Sequence, residues 1–199
     1  MASELTKAEN KEATLPLHSS WSLWYDNPRL APPNTTWREN LKHVATFTTA
    51  EEFWSTFNNI LPSSQLAVNG NYHLFRTGIE PMWEDKSNVE GGKFVMTMAK
   101  ADSKKGKGDE WWLYTALALI GETMDESGSG ISGAVVSIRK REDRIALWLR
   151  NCEKDACVKI GARWKAALEV SNKTILRYQS HASAAASGSS FKNEVMFEV

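Results

Sequence analysis

The stretch Ala134-Val-Val-Ser-Ile-Arg-Lys-Arg-Glu-Asp-Arg-Ile-Ala-Leu-Trp-Leu-Arg150 is two largely apolar runs joined by a charged turn, the pattern of a β-hairpin. With Glu142 in the turn and residue 139 opposite 144, the two-residue period of a strand assigns faces. Val136, Ile138, Ile145, Leu147 and Leu149 share one face, a core set, and Ser137, Arg139, Arg144, Ala146 and Trp148 share the other. A large indole between small residues on a cationic face fits the wall of a ligand pocket floored by guanidinium groups, whose forked donors match phosphate oxygens. An Arg stem packed on an exposed Trp fits the same pattern, and the hairpin alone leaves both readings open.

Toward the N-terminus, residues 1–14 are polar and of mixed charge, a flexible tail, and 15–199 form one domain. Leu17, Trp21, Leu23 and Tyr25 against Ser20, Ser22 and Trp24 predict a strand that Asn27-Pro28 and Pro32-Pro33-Asn34 stop, with a loop leading to Trp37. Residues 49–61 predict a helix, with Thr49 as its cap and Glu51 and Glu52 favourable in its first turn. Phe53, Phe57, Ile60 and Leu61 make its stripe, and Trp54, about 100° from Phe53, falls at the edge of that stripe. Strands follow at 72–75 and 93–98, separated by a long polar loop, and 101–110 reads as a charged flexible loop. Residues 111–122 predict a helix apolar over too wide an arc for one core contact. Residues 153–169 predict another, with Val158, Ala162, Lys165 and Leu168 in its spacing; 174–180 and 195–199 read as strands, and 182–190 as a Ser-rich loop that buries little. Strands separated by three helices, with hairpin spacing in the middle, favour an α+β domain with a mainly antiparallel sheet.

At 199 residues, with 24 Lys plus Arg against 24 Asp plus Glu, the chain suits one domain and has no overall basic field for nonspecific duplex binding. No apolar run reaches the roughly 18 to 20 residues of a membrane helix, and the N-terminus lacks a signal peptide, so the expected compartment is the cytoplasm, with the nucleus as a second. Cys152 and Cys157 are too few for a disulfide scaffold or a structural zinc site and read as ordinary thiols. Gly128-Ser-Gly-Ile-Ser-Gly133 matches a dinucleotide fingerprint in letters, but it follows a helix and precedes a strand, the reverse of the order a pyrophosphate site needs.

Nine tryptophans are the outstanding feature of the composition. Trp37 and Trp83 sit in loops, where no regular element buries an indole by default, and exposed aromatics stack bases in single-strand binders at about 1–3 kcal/mol per base. Glu84, beside Trp83, can accept two hydrogen bonds from adjacent donors, as guanine presents at N1 and N2. As a general acid it would need an opposing carboxylate, and its chain neighbour Asp85 is poorly placed. Two indoles, one carboxylate and an Arg pair beside a third indole converge on a nucleotide with its phosphates toward Arg139 and Arg144. The four histidines lack metal-type spacing and no nucleophile arrangement stands out, which disfavours an enzyme.

These residues resemble the mRNA cap-binding translation initiation factor 4E family. The shared strings are Trp21-Ser-Leu-Trp24, Thr36-Trp37, Glu52-Phe-Trp54, Tyr72-His-Leu-Phe75, Gly78-Ile-Glu-Pro-Met-Trp-Glu-Asp85, Leu119-Ile-Gly-Glu122, Ile145-Ala-Leu-Trp148 and Tyr178-Gln-Ser-His-Ala182. The resemblance runs from about Leu15 to the C-terminus, and the string from Gly78 to Asp85 is its most specific part. It implies a curved, mainly antiparallel sheet with three long helices on its convex face, and a cap slot on the concave one. It implies no cofactor: the ligand is the 7-methylguanosine cap, with 7-methyl-GTP as its analogue. Trp37 and Trp83 would sandwich the base, Glu84 would bind its N1 and N2 donors, and Trp148 would touch the N7 methyl group. Arg139 and Arg144 would take the phosphates, with Arg141 and Lys93 nearby.

N7 methylation makes the base cationic, so an indole sandwich gains cation–π attraction and the carboxylate gains charge assistance. The resemblance further implies capped mRNA as partner and a convex surface of Pro16, Trp54, Leu113, Leu117 and Gly121. That surface would dock a helix from the scaffold factor 4G or from repressor proteins with a tyrosine-x4-leucine-apolar motif, in cap-dependent initiation. The alternative is a repressor-type homologue that binds caps without engaging the scaffold. Departures are Phe94 for a common Trp, Lys93 for a common Arg, Tyr114 for an acidic groove residue and Leu15 for a His. Ser189 matches a phosphorylation serine, although Ala186 stands where a Lys is expected.

Overall fold

The computed structural model describes residues 14–150, 153–171, 173–187 and 194–199. Cys152, Ser189 and the expected tail apart from Thr14 lie outside the described residues. In chain order the elements are β1 (Pro16–Asp26), α1 (Trp37–Asn40), β2 (Lys42–Thr49), α2 (Ala50–Phe57), a single 3-10 turn (Ser63–Gln65), β3 (Asn71–Arg76), β4 (Gly92–Ala99), α3 (Lys100–Lys104), α4 (Lys107–Ile120), β5 (Ile131–Ser137), β6 (Glu142–Leu149), α5 (Lys154–Ala167), β7 (Arg177–Ser180), α6 (His181–Ser187) and β8 (Phe197–Glu198). Among the described residues one antiparallel sheet runs in the order β2-β1-β3-β5-β6-β4-β7-β8. The expected α+β class and curved antiparallel sheet with three long helices, α2, α4 and α5, are what the chain adopts.

The hairpin keeps its predicted faces but shifts its register by two. Ser137, not Arg139, lies opposite Arg144, and Glu142 is in the strand rather than the turn. The turn that leads into β3 explains the shift: Ile138 exchanges backbone bonds with Gly70 and Asn69, and Arg139 donates its N–H to the Asp143 carboxylate at 2.9 Å, so the hairpin turn spans 138–141. A shift of two leaves side-chain orientation unchanged. Ile145, Leu147 and Leu149 accordingly sit in the core with no exposure, together with Trp21, Leu23 and Leu74.

Several local expectations are overturned. Trp37 does not lie in a loop but opens α1, which Thr36 and Glu39 close with a capping box. Residues 42–49 form a full edge strand. The 49–61 helix ends at Phe57, leaving Leu61 exposed, though Thr49 caps it through the Glu52 N–H as predicted. The charged 101–110 stretch is helical on both sides of Gly106, whose φ of 89° breaks the two helices apart. What orders this stretch is Asp109, whose carboxylate accepts bonds from Ser63 Oγ, Ser64 N and Ser64 Oγ. On α5 the buried stripe is Cys157, Ile160, Gly161, Trp164 and Leu168, with Ala162 exposed and Val158 only half-buried; Lys165 is buried as well. Residues 181–187 form a helix, and Ala184 is fully buried. The two C-terminal strands are shorter than predicted, β7 starting at Arg177 and β8 spanning two residues.

Candidate functional site

Strand registers turn the concave face into three rows of side chains. Phe75, Gly133, Trp148 and Lys93 lie in one row; Trp24, His73, Val135, Ala146 and Val95 in the next; Asp26, Asn71, Ser137 and Arg144 in the third. The first row is apolar and aromatic apart from Lys93 at its end, the last polar and charged. A Cβ on Gly133 would lie 2.6 Å from the Phe75 ring, so only glycine lets Phe75 meet Trp148 edge-on at 5.4 Å. Phe75, Ile79, Val135 and Trp148 form a second small core on this face, with Trp83 packed against it.

Over these rows lies a cleft of about 620 Å³ that Trp37, Trp83, Glu84, Trp148, Lys93, Arg139 and Arg144 all line. The structure thus brings seven of the eight residues expected at the slot to one place. The eighth, Arg141, does not line it: it lies exposed on the 138–141 turn because Asp143 and Gly70 set that turn.

Each wall has its own support. Trp37 is 36% exposed at the start of α1, its ring edge-on to His73 at 6.1 Å. Opposite, residues 77–91 carry Trp83 and Glu84 on a loop ordered by two side chains. Asp85 accepts the N–H groups of Glu80 and Ser87, and fully buried Asn88 donates to the carbonyls of Glu80 and Met82. Asp85 is therefore committed to the loop and cannot face Glu84. Arg38 pairs with Glu80 at 2.5 Å, linking the two walls, although both are too exposed for the pair to add much stability.

The floor is a network that the sequence did not disclose. Buried Asp26 Oδ1 accepts from Asn71 Nδ2 at 2.8 Å and lies 2.7 Å from His73 Nε2. Asn71 Oδ1 accepts from Arg139 Nη2 at 2.8 Å. One carboxylate thereby holds both the histidine behind Trp37 and the asparagine that orients Arg139. Burial lowers the Arg139 pKa, and the Asp26 charge opposes that shift. The period of two puts Asp26 on the same face as Ser22 and Trp24, which is the one sequence signal that could have flagged it.

Arg144 is held by Glu142, two residues away on the same face, at 2.6 Å. Lys93 is buried, its ammonium 6.0 Å from the Trp148 ring centre. Burial, with the Arg144 charge adding to it, pushes its pKa down to about 8. The buried His181 ring lies tilted by 37° against Trp148, 4.1 Å between centres, and burial with the Lys93 charge pushes its pKa down to about 3. The cleft thus gathers indoles, one carboxylate and cationic groups, Lys93 beside Trp148 and Arg144 farther along the strand, a set suited to a flat cationic base with an anionic tail.

The residues expected on the opposite side lie on the helical face or at its margin. Pro16 opens β1 beside α2, where Leu15 donates its N–H to Glu51 and accepts from Ala50 N. Trp54, on α2, is 40% exposed and rests on the edge of Phe53 at 5.1 Å. Leu113 and Leu117, one turn apart on α4, are half-buried, and exposed Gly121 is that helix's C-cap.

Residues 16–196 match the family model described as eukaryotic initiation factor 4E. Eukaryotic translation initiation factor 4E-1A of Danio rerio is 43% identical over 182 residues, covering 90% of this chain and 82% of its own. Eukaryotic translation initiation factor 4E of Candida glabrata is 38% identical over 183 residues, covering 90% and 84%. Among solved structures, C. elegans eIF4E-3 in complex with the 4E-binding protein Mextli and a cap analog has a TM-score of 0.83 at 34% identity, covering 94% of this chain and all of that one. Ascaris suum eIF4E-3 with the m7G cap has a TM-score of 0.83 at 35% identity, covering 94% and 98%. Matched along nearly its whole described length in both sequence and fold, the chain belongs to the eukaryotic initiation factor 4E family, a family of translation factors and not of enzymes.

Proposed function

We propose that this chain binds the 7-methylguanosine 5′ cap of mRNA in the concave cleft and docks the scaffold factor 4G, or repressors with a tyrosine-x4-leucine-apolar motif, on the helical face. The observation that carries the reading is that one cleft is lined by both sets of groups, Trp37, Trp83, Glu84 and Trp148 together with Arg139, Arg144 and Lys93. Trp37 and Trp83 stack on the two faces of the methylated base, gaining cation–π attraction that plain guanine lacks. Glu84 accepts from N1 and N2, and Trp148 meets the methyl group. Arg139, already oriented by Asn71, takes phosphate oxygens; Arg144 does so in competition with Glu142, and Lys93 gains an anion that restores its proton. The solved relatives that hold a cap analog or the m7G cap, and one that also holds a 4E-binding protein, support both halves of the proposal.

The test is a tryptophan-fluorescence titration with 7-methyl-GTP and with GTP. Strong quenching by the methylated nucleotide, with GTP at least tenfold weaker, is the expected outcome, and Trp83→Ala or Glu84→Ala should abolish it in a protein that still melts cooperatively. Equal responses to the two nucleotides, or an unchanged Trp83→Ala, would remove the slot assignment. A chain that binds 7-methyl-GTP but no scaffold peptide would instead be a cap-binding repressor.

A further inference from the structure

β6 gives the cleft a direction. Trp148 and Arg144 lie on one face of it, four residues apart, about 13 Å at strand rise. A nucleotide with its base against Trp148 and its phosphates at Arg144 therefore points along the strand toward the 138–141 turn. Its chain leaves the cleft there.

What lies beyond is basic. Ala99 pairs with Glu142, so α3 begins beside the start of β6. Asp143 Oδ1 accepts from both Arg139 N, at 2.9 Å, and Lys100 Nζ, at 2.5 Å, so the turn and the start of α3 share one carboxylate. Lys104 is one helical turn past Lys100, about 6 Å farther on, and Lys105 follows it. Lys104, Lys105, Lys140 and Arg141 are exposed, and among the described residues none has a carboxylate within ion-pair distance. Glu142 and Asp143 are already neutralised by Arg144 and Lys100; Asp102 is the nearby carboxylate without an ion-pair partner. Because the chain's formal charge is zero, this is a local concentration and not a general surplus.

We propose that the RNA following the cap runs from Arg144 over the 138–141 turn onto α3, with Lys140, Arg141, Lys104 and Lys105 holding its backbone phosphates. The proposal rests on the cap reading above. It gives Arg141 a role outside the slot, and a strand of RNA is the occupant because it is continuous with the nucleotide whose phosphates end there. Contacts of this kind are sequence-independent and strongly salt-dependent.

The experiment titrates the full chain with 7-methyl-GTP, with a capped RNA of about 12 nucleotides, and with the same RNA uncapped, across a series of salt concentrations. The capped RNA should bind about tenfold or more tighter than 7-methyl-GTP and with a steeper salt slope. Combined Lys104→Gln, Lys105→Gln and Lys140→Gln should lower that slope by about 2, at about 0.7 per phosphate contact on a single strand, and erase most of the advantage. Binding of 7-methyl-GTP by the triple variant should stay unchanged, which also shows that it folds. Equal affinity and slope for capped RNA and 7-methyl-GTP in the wild type would overturn the tract and leave the cap slot standing, as would a triple variant that keeps the advantage. An equal loss for uncapped RNA would overturn the continuity with the cap. Failure of the wild type to bind 7-methyl-GTP at all would overturn the cap reading, and the tract with it.

Discussion

Asp26 carries more of the cleft than any residue that touches it from the walls. Its single oxygen Oδ1 serves Asn71 and His73, and so it reaches both Arg139 and the ring behind Trp37. Asp26→Leu would release both at once, and 7-methyl-GTP affinity should fall about tenfold or more, tenfold being 1.4 kcal/mol. Asn71→Leu should erode chiefly the gain in affinity from 7-methyl-GMP to 7-methyl-GTP, because only the Arg139 arm is cut. Calorimetric titration of the wild type and both variants with each nucleotide checks this; an Asp26→Leu protein that melts normally and binds 7-methyl-GTP as the wild type does would show the network to be idle. Trp83 was legible in the sequence from its loop, and Trp148 and the two arginines from a two-residue period; Trp37 was singled out for a loop position, whereas it opens α1. Asp26 was not, since its partners lie 45 and 47 positions away and no local pattern records such a pairing.

At the scale of elements, α2 shows how far periodicity reaches. Phe53 faces the core with no exposure, and Trp54, 100° around, stays 40% exposed on the ring of Phe53, as the stripe predicts. An indole so placed is the kind of anchor that dominates helix-in-groove binding. Trp54→Ala should weaken a peptide with the tyrosine-x4-leucine-apolar motif by about 2 kcal/mol or more while 7-methyl-GTP binding holds. Fluorescence anisotropy of a labelled peptide measures the loss, and loss of both ligands would instead make Trp54 a core residue. Other elements were illegible for identifiable reasons. The first turn of α4 is pinned through Asp109 to Ser63 and Ser64, and the start of α3 through Lys100 to Asp143, both partners being far off in the chain. β2 is an edge strand whose residues are mostly exposed, so burial leaves little alternation to read. α6, built of small residues, forms where Ala184 finds a place in the interior.

For the whole molecule, class and sidedness followed from the hairpin, whereas the strand order did not. β4 pairs with both β6 and β7, and β1 with β3, across separations that tertiary packing alone decides. That packing also buries His181, the residue after β7, against Trp148, with acid sensitivity as the consequence. Its pKa is near 3 in the fold against 6.5 ordinarily, so the unfolded chain takes a proton below 6.5 that the fold refuses. The stability that this neutral ring contributes is therefore fully present above pH 6.5 and drains as pH falls toward 3. Between pH 7 and pH 5 this histidine should cost the wild type about 2 kcal/mol, at about 1.4 per pH unit below 6.5. His181→Phe keeps the ring against Trp148 and should remove that share of the loss in urea melts at the two pH values; an unchanged loss would clear the histidine.

The alternation along β6 has one more consequence. Leu147 and Leu149 point to the helices while Ala146 and Trp148 point into the cleft, so neighbours in the chain answer to different masters. A substitution at one position edits what the protein grips, and the next position edits what it is fastened to. Relatives built on this sheet are free to trade one allegiance while keeping the other, with a single strand serving as both palm and knuckle.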